Sequence, residues 1–344
     1  MNRIEKLTKN LNDKEGFYIS SFANIFYYSG FTSEDARLLI TKNECILFTD
    51  SRYTVQASIE AKDFEIRDIK NIDKLKEFGI EKLGFEEDYL TVKELAKINV
   101  GDIKVFPAGK MISKPRGVKD KFEIAKIAEA ERLGDEAFSY ILDFIKPGKT
   151  EKEIALELEF FMRHHGAEKL SFDTISASGE RSCMPHGVAT DKIIKTGEFL
   201  TLDFGCVLDG YCSDMTRTVA IGKPTDEMKN VYDTVLKAQL TALEFIGVGK
   251  SCCDVDFSAR KVIEDAGFGK NFGHSLGHSV GIEIHENPNL SPKSTDILEV
   301  GNVVSVEPGI YLDGFFGVRI EDLVVISEKN TVNLTKSKKE LIII

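Results

Sequence analysis

No excess of basic residues is present in this chain: 45 Lys and Arg stand against 56 Asp and Glu in 344 residues, a formal charge of −11. A balance of that sign cannot neutralise phosphates, which excludes nucleic acid and anionic membrane as main partners. No apolar run reaches the length needed to span a bilayer, so no membrane insertion is expected. Residues 1–14 lack the apolar core of a signal peptide, and a cytoplasmic protein is expected. Cysteine is sparse, six residues with no CxxC pair. They read as free thiols in a reducing compartment, with Cys206 and Cys212 as small packing residues. Apolar residues, by contrast, make up 42%, enough for a sizeable core, and the length favours two domains over one.

The first domain is expected over residues 1–112. Helical patterns at Glu5–Leu11 and Tyr53–Ala61 alternate with apolar strands at Arg37–Ile40, Cys45–Phe48 and Lys82–Phe85, a small α/β arrangement. Lys114-Pro115-Arg116-Gly117 has no periodicity and reads as a linker. The second domain is expected over 120–344. It opens with a long amphipathic helix from Asp120, stopped by Pro147-Gly148, and Thr150 with Glu153 forms a capping box for the next helix.

That second part contains a repeat. Lys195 to Gly205 matches Glu299 to Gly309, and Leu208-Asp209-Gly210-Tyr211 matches Leu312-Asp313-Gly314-Phe315. Each copy runs from a glycine turn into an apolar strand that ends on a carboxylate, Asp203 or Glu307, and continues into an Asp-Gly hairpin. Helical segments at about 120–166 and 225–267 precede the two copies. The fold class is therefore α+β, two αα-plus-hairpin halves related by pseudo-two-fold symmetry. A carboxylate in an apolar strand is costly unless paired or metal-bound. If Asp209-Gly210 is a two-residue turn, Asp214 lies opposite Gly205 and diagonal to Asp203 on one face. The second copy offers Glu307 and Glu321. A strict two-residue turn would send Glu321 to the far face, so a longer loop or bulge is expected around Phe315-Phe316-Gly317. Four carboxylates from two related hairpins form an oxygen-rich cup suited to two divalent cations.

Only six histidines are present. His164 and His165 end a helix, where its dipole accounts for them. His186, His274, His278 and His285 all sit in glycine-containing segments. For one of them a hydrogen-bonded loop histidine is the ordinary explanation; for four together it is not.

These residues resemble a known family, the "pita-bread" metallopeptidases: methionine aminopeptidase, Xaa-Pro aminopeptidase and Xaa-Pro dipeptidase (prolidase). The motifs are Leu202-Asp203-Phe204-Gly205, Tyr211 to Thr218, His274 to Glu286, Val306-Glu307-Pro308-Gly309 and Val318 to Asp322. The α/β domain in front is similar to that of the Xaa-Pro enzymes. The resemblance implies that Asp203, Asp214, His278, Glu307 and Glu321 bind two divalent ions, Mn or Co before Zn or Fe, and that a hydroxide shared by them attacks the scissile carbonyl. It further implies Glu307 as proton shuttle, His186 and His285 at the scissile bond, and His274, Arg319 and Tyr211 around the substrate. For Arg319 and Tyr211, a buried ion pair and a packed hairpin aromatic are equally good readings.

The expected substrates are peptides with proline in second position, and the expected assembly is a homodimer. Methionine aminopeptidase fits less well, because it lacks a preceding domain and spaces its glutamates further apart. A non-catalytic binding relative would have lost ligands, and none is lost here. Prolidase is the serious rival. An aminopeptidase is favoured over it because Phe48 to Ala57 is similar to the Xaa-Pro aminopeptidase segment and because Glu34 and Asp35 would repel a free proline carboxylate. Arg52 is read as an ion pair with Asp50. Lys336–Lys339 reads as a solvated basic run, and Leu341–Ile344 as a last strand.

Overall fold

The computed structural model describes residues 2–99 and 103–344. The chain divides at Arg116/Gly117 into two compact units.

In the first unit, apolar runs buried on both faces give the inner strands, and more exposed segments give the two edge strands: β1 (Glu15–Ile19), β2 (Ala36–Thr41), β3 (Cys45–Thr49), β4 (Glu65–Asp68), β5 (Lys82–Phe85) and β6 (Lys104–Pro107). They form one mixed sheet in the order β4-β3-β2-β1-β5-β6. The connections fold down as α1 (Arg3–Thr8), α2 (Phe22–Ser29), α3 (Thr54–Glu60), α4 (Val92–Ile98) and α5 (Gly109–Ser113). Strand β1 is central, pairing antiparallel with β2 and parallel with β5. Its core is built on Tyr18, Leu39, Ile46, Phe48 and Leu83.

The second unit has two halves, each a helix pair followed by strands. In the first, α6 (Lys121–Phe144) and α7 (Glu151–His164) both start in capping boxes, Asp120 with Glu123 and Thr150 with Glu153. They precede β7 (Lys169–Leu170), β8 (Ile175–Ser178), β9 (Glu198–Phe204), β10 (Cys206–Leu208), β11 (Tyr211–Cys212) and β12 (Met215–Ile221). These strands form two three-stranded sheets, β11-β10-β7 and β12-β9-β8. Leu133, Phe138 and Leu158 of the helices share a core with Leu202, Phe204 and Val219. In the second half come α8 (Asp226–Phe245) and α9 (Cys252–Asp265), then β13 (Gly277–Ser279), β14 (Glu286–Leu290), β15 (Val303–Val306), β16 (Gly309–Leu312), β17 (Phe316–Arg319), β18 (Asp322–Val325) and β19 (Val332–Asn333). They form a five-stranded sheet, β14-β13-β15-β18-β19, with the ribbon β16-β17. Here Val235 and Ala259 pack with Val304, Val306 and Val324. Each half thus has a core between its helix pair and its strands, as the sequence repeat requires.

The halves are joined along β12. Its Arg217 is buried, and the guanidinium donates to Asp322 Oδ1 at 2.8 Å and to the carbonyls of Glu321 and Ser337. Glu321 N donates to Thr216 O at 3.1 Å. The run Lys336–Lys339 is therefore not a merely solvated patch: Lys339 Nζ lies 2.6 Å from buried Asp322, and Ser337 and Lys338 supply carbonyls to Arg217. The closing residues extend along β12, with Ala220 N on Ile342 O and Ile344 N on Ala220 O, both 2.9 Å. All six cysteines are free. Among the described residues, no helix is long and apolar enough to cross a membrane.

Candidate metal centre

Turn length decides where the carboxylates point. In the first hairpin Leu208 pairs with Tyr211, and Phe204 with Met215, one register throughout. The turn is the two residues Asp209-Gly210, both in the left-handed region at φ 49° and 78°, which suits a type I′ turn. Asp214 consequently stands diagonal to Asp203, whose direct partner is Thr216. In the second hairpin Leu312 pairs with Phe316, leaving a three-residue loop, Asp313-Gly314-Phe315. The same register holds where Val306 meets Asp322, so Glu307 stands directly opposite Glu321. The extra loop residue keeps Glu321 on the inner face, as the sequence argument required.

Asp203, Asp214 and Glu321 each bring a carboxylate oxygen within 4.8 Å of the others. His278, on β13, closes the group: its Nε2 lies 3.4 Å from Glu307 Oε1 and 3.7 Å from Asp214 Oδ2. Five side chains therefore converge, Asp203 and His278 from within β9 and β13 and Asp214, Glu307 and Glu321 from the links between successive strands. Asp203 Oδ2 is engaged by Arg319 at 2.5 Å, whereas its Oδ1 is buried without a hydrogen-bond partner. Burial raises the carboxyls of Asp214 and Glu321 well above the ordinary range, and neighbouring carboxylates add to it. Burial pushes Glu307 up to about 8. Such crowding of like charge marks a place for a cation. For His278 and His274 burial dominates in the other direction, lowering each to about 4 and keeping the rings neutral.

Arg319 occupies in the second hairpin the diagonal position that Asp214 holds in the first. It does not face open solvent: Nε donates to Thr216 Oγ1 at 3.0 Å, and one terminal nitrogen donates to Tyr311 Oη at 2.8 Å and Pro185 O at 3.2 Å. Tyr311 passes the chain on to His274 Nε2 at 2.8 Å, and His274 Nδ1 meets Ser275 O at 2.8 Å. Thr216 in turn donates to Glu321 Oε2 at 2.7 Å. Gly309 has a specific reason here, since a Cβ would lie 2.5 Å from the Tyr311 hydroxyl.

His285 is drawn to the centre by its ring, 4.3 Å from that of His278. Burial lowers its pKa, and the charge of nearby His186 lowers it further. His186 is exposed, one residue from the Pro185 carbonyl that Arg319 holds. Tyr211 is placed differently. It is buried, with its hydroxyl donating to Glu123 Oε1 of α6 at 3.0 Å, the position of a packed hairpin aromatic. Tyr311 and Thr216 were not singled out in the sequence; neither falls on a repeated carboxylate. Glu131 was missed as well. It is fully buried on α6, accepts the Asp214 N–H at 3.1 Å, and is pushed up to about 8 by burial.

Comparison with known proteins agrees with this geometry. Residues 125–328 match the metallopeptidase family M24, and residues 3–118 match the creatinase/prolidase N-terminal domain. The fold is similar to that of an Xaa-Pro dipeptidase from Bacillus anthracis, 43% identical with 99% of each chain covered and a TM-score of 0.96. It is also similar to an X-Pro aminopeptidase from Thermotoga maritima, 41% identical with both chains covered completely and a TM-score of 0.92. A Pyrococcus furiosus Xaa-Pro dipeptidase is 37% identical over 99% of both chains. With the catalytic and N-terminal matches together spanning nearly the whole sequence, the chain belongs to the metallopeptidase family M24.

Proposed function

We propose that this protein hydrolyses the peptide bond between an N-terminal residue and a following proline, using two divalent cations. The observation that carries the reading is the convergence of Asp203, Asp214, His278, Glu307 and Glu321, with one buried Asp203 oxygen left without a partner. Specificity for proline is inferred from the names of the relatives.

The donor set fits the cations. Four carboxylates and one imidazole suit hard or borderline divalent ions, and Mn or Co is favoured over Zn or Fe. When bound, the ions supply Lewis-acid polarisation and lower the pKa of water. Glu307 is assigned to take the proton of the attacking water and return it to the leaving proline nitrogen. His285 and His186 are assigned to the scissile carbonyl, where an imidazole N–H can donate to the developing oxyanion. Arg319 holds Asp203 in place and, through Tyr311, fixes the tautomer of His274. With both ring nitrogens engaged, His274 offers a substrate its ring rather than a hydrogen bond. Tyr211 is assigned no substrate contact.

The two histidine roles separate experimentally. His278→Ala is expected to lose metal and activity together. His285→Ala is expected to keep its metal and lose roughly a hundredfold in kcat with little change in KM. Metal content measured beside kcat decides; a metal-free His285→Ala beside a metal-replete His278→Ala would reverse the assignment.

Between dipeptides and longer peptides, we favour dipeptides. The sequence alone leaned towards an aminopeptidase, but relatives at 43% and 37% identity are named dipeptidases. Two observations support the aminopeptidase reading: the 41% identical Thermotoga maritima protein is named an X-Pro aminopeptidase, and a basic group that a dipeptidase could use is already paired. Arg52, the basic group in its segment that could clamp a free proline carboxylate, is held by Asp50 at 2.7 Å and lies 3.6 Å from Asp35. With Mn²⁺-loaded protein, kcat/KM for Ala-Pro is expected to exceed that for Ala-Pro-Ala by about tenfold or more. Comparable turnover of the tripeptide would hand the assignment to the aminopeptidase.

A further inference from the structure

A lysine and a glutamate form an ion pair inside the second unit, neither of them among the five residues of the carboxylate cup. Lys119 Nζ lies 3.1 Å from Glu286 Oε2, with side-chain exposures of 1% and 3%. The same Nζ donates to Ser279 Oγ at 2.7 Å. A pair this deep contributes little net stability compared with apolar residues of equal volume, so its value lies in fixing a conformation.

The conformation concerned is the six-residue turn 280–285. Strands β13 and β14 pair Ser279 with Glu286 across it, after a register shift next to His278. Glu286 folds back inside this turn. Its Oε1 accepts the main-chain N–H groups of Ile282 at 3.1 Å and Glu283 at 3.2 Å. The turn is so tightly wound on the carboxylate that a Cβ on Gly281 would fall 2.6 Å from Glu286 Oε2. From outside, Cys212 N reaches Gly281 O at 2.8 Å. The last residue of the turn is His285, whose ring meets that of His278.

We infer that Lys119 and Glu286 are positioning residues that set the orientation of His285 by holding the main chain of its turn. This rests on the assignment of His285 to the scissile carbonyl. Glu286 itself touches no reacting group; it acts through His285.

A double-mutant cycle tests the inference, with metal content and circular dichroism measured on every variant. Glu286→Gln keeps the size and one acceptor but removes the charge opposite Lys119. It is expected to lower kcat roughly tenfold to a hundredfold, with KM within about twofold and metal retained. In a His285→Ala background, the same substitution is expected to change kcat by less than about twofold, because its effect is already lost. Gly281→Ala provides a second variant that removes no charge. Its Cβ must displace the Glu286 carboxylate, and the same loss of kcat is expected, again absent without His285. An equal loss in both backgrounds, or metal lost in step with activity, would overturn the inference and make the pair a scaffold of the metal centre. If His285→Ala alone kept full kcat, the assignment of His285 would be the part that failed, and the cycle would show it separately.

Discussion

Asp214→Asn is expected to lower turnover by about a thousandfold or more and to empty the metal centre. Asp214 is buried and contributes one of the three carboxylates that converge within 4.8 Å, and its Oδ2 lies 3.7 Å from His278 Nε2. Asparagine has the same shape, so the Asp214 N–H can stay on Glu131 and the hairpin register can persist. What is removed is one negative charge at the point where the two hairpins meet. Elemental analysis of the purified variant, kcat on Ala-Pro and a far-ultraviolet spectrum together check the outcome. A folded variant that retains both metal and near-normal turnover would remove Asp214 from the centre.

The second large effect concerns the metal-free protein. Burial raises Glu307 and Glu131 to about 8, and raises Asp214 and Glu321 well above the carboxylate range. In the unfolded chain the same groups release their protons near pH 4. Between those values the folded state holds protons that the unfolded state has lost. Stability is therefore greatest on the acid side and falls as pH rises towards about 8. A divalent cation offsets the repulsion and should stabilise most where the carboxylates are fully charged. Melting of chelated protein is expected to fall steadily from about pH 5 to about pH 8, and saturating Mn²⁺ is expected to raise Tm by roughly 10 °C at the upper end and far less at the lower. A metal-free Tm that is flat across this window would contradict the electrostatic account.

Much of the centre was legible because the gene product repeats itself. Asp203 and Glu307 stand at matching places, and hairpin parity alone said that the second turn must be longer than the first. Helix starts were equally plain, since Asp120 with Glu123 and Thr150 with Glu153 carry their caps in the sequence. The central strand β1 was not legible: four of its five residues are buried, so no alternation marks it. Nor were the carboxylates behind the centre. Glu131 holds Asp214, Glu151 accepts Ser178 N and Thr190 Oγ1 at 2.8 and 2.7 Å, and Asp256 accepts Leu276 N at 3.0 Å. Each is one acidic residue on an amphipathic helix, and in one dimension nothing distinguishes it from a solvated neighbour. The basic run at Lys336–Lys339 misled for the same reason, because its partners are distant in sequence: Asp322 stands 17 residues from Lys339, and Arg217 stands 121 from Lys338.

The three-residue loop of the second hairpin makes the protein unusually sensitive to the length of its coding sequence at one surface point. Phe315 is 71% exposed, in the kind of place where residues are freely exchanged and where insertions and deletions usually survive. Exchange of its side chain leaves the strand pairing untouched. Loss of its codon does not: the pairing sum shifts by one, every residue after the turn changes face, and Glu321 leaves the cup for the opposite side of the ribbon. Phe315 is thus dispensable as a side chain and indispensable as a unit of length.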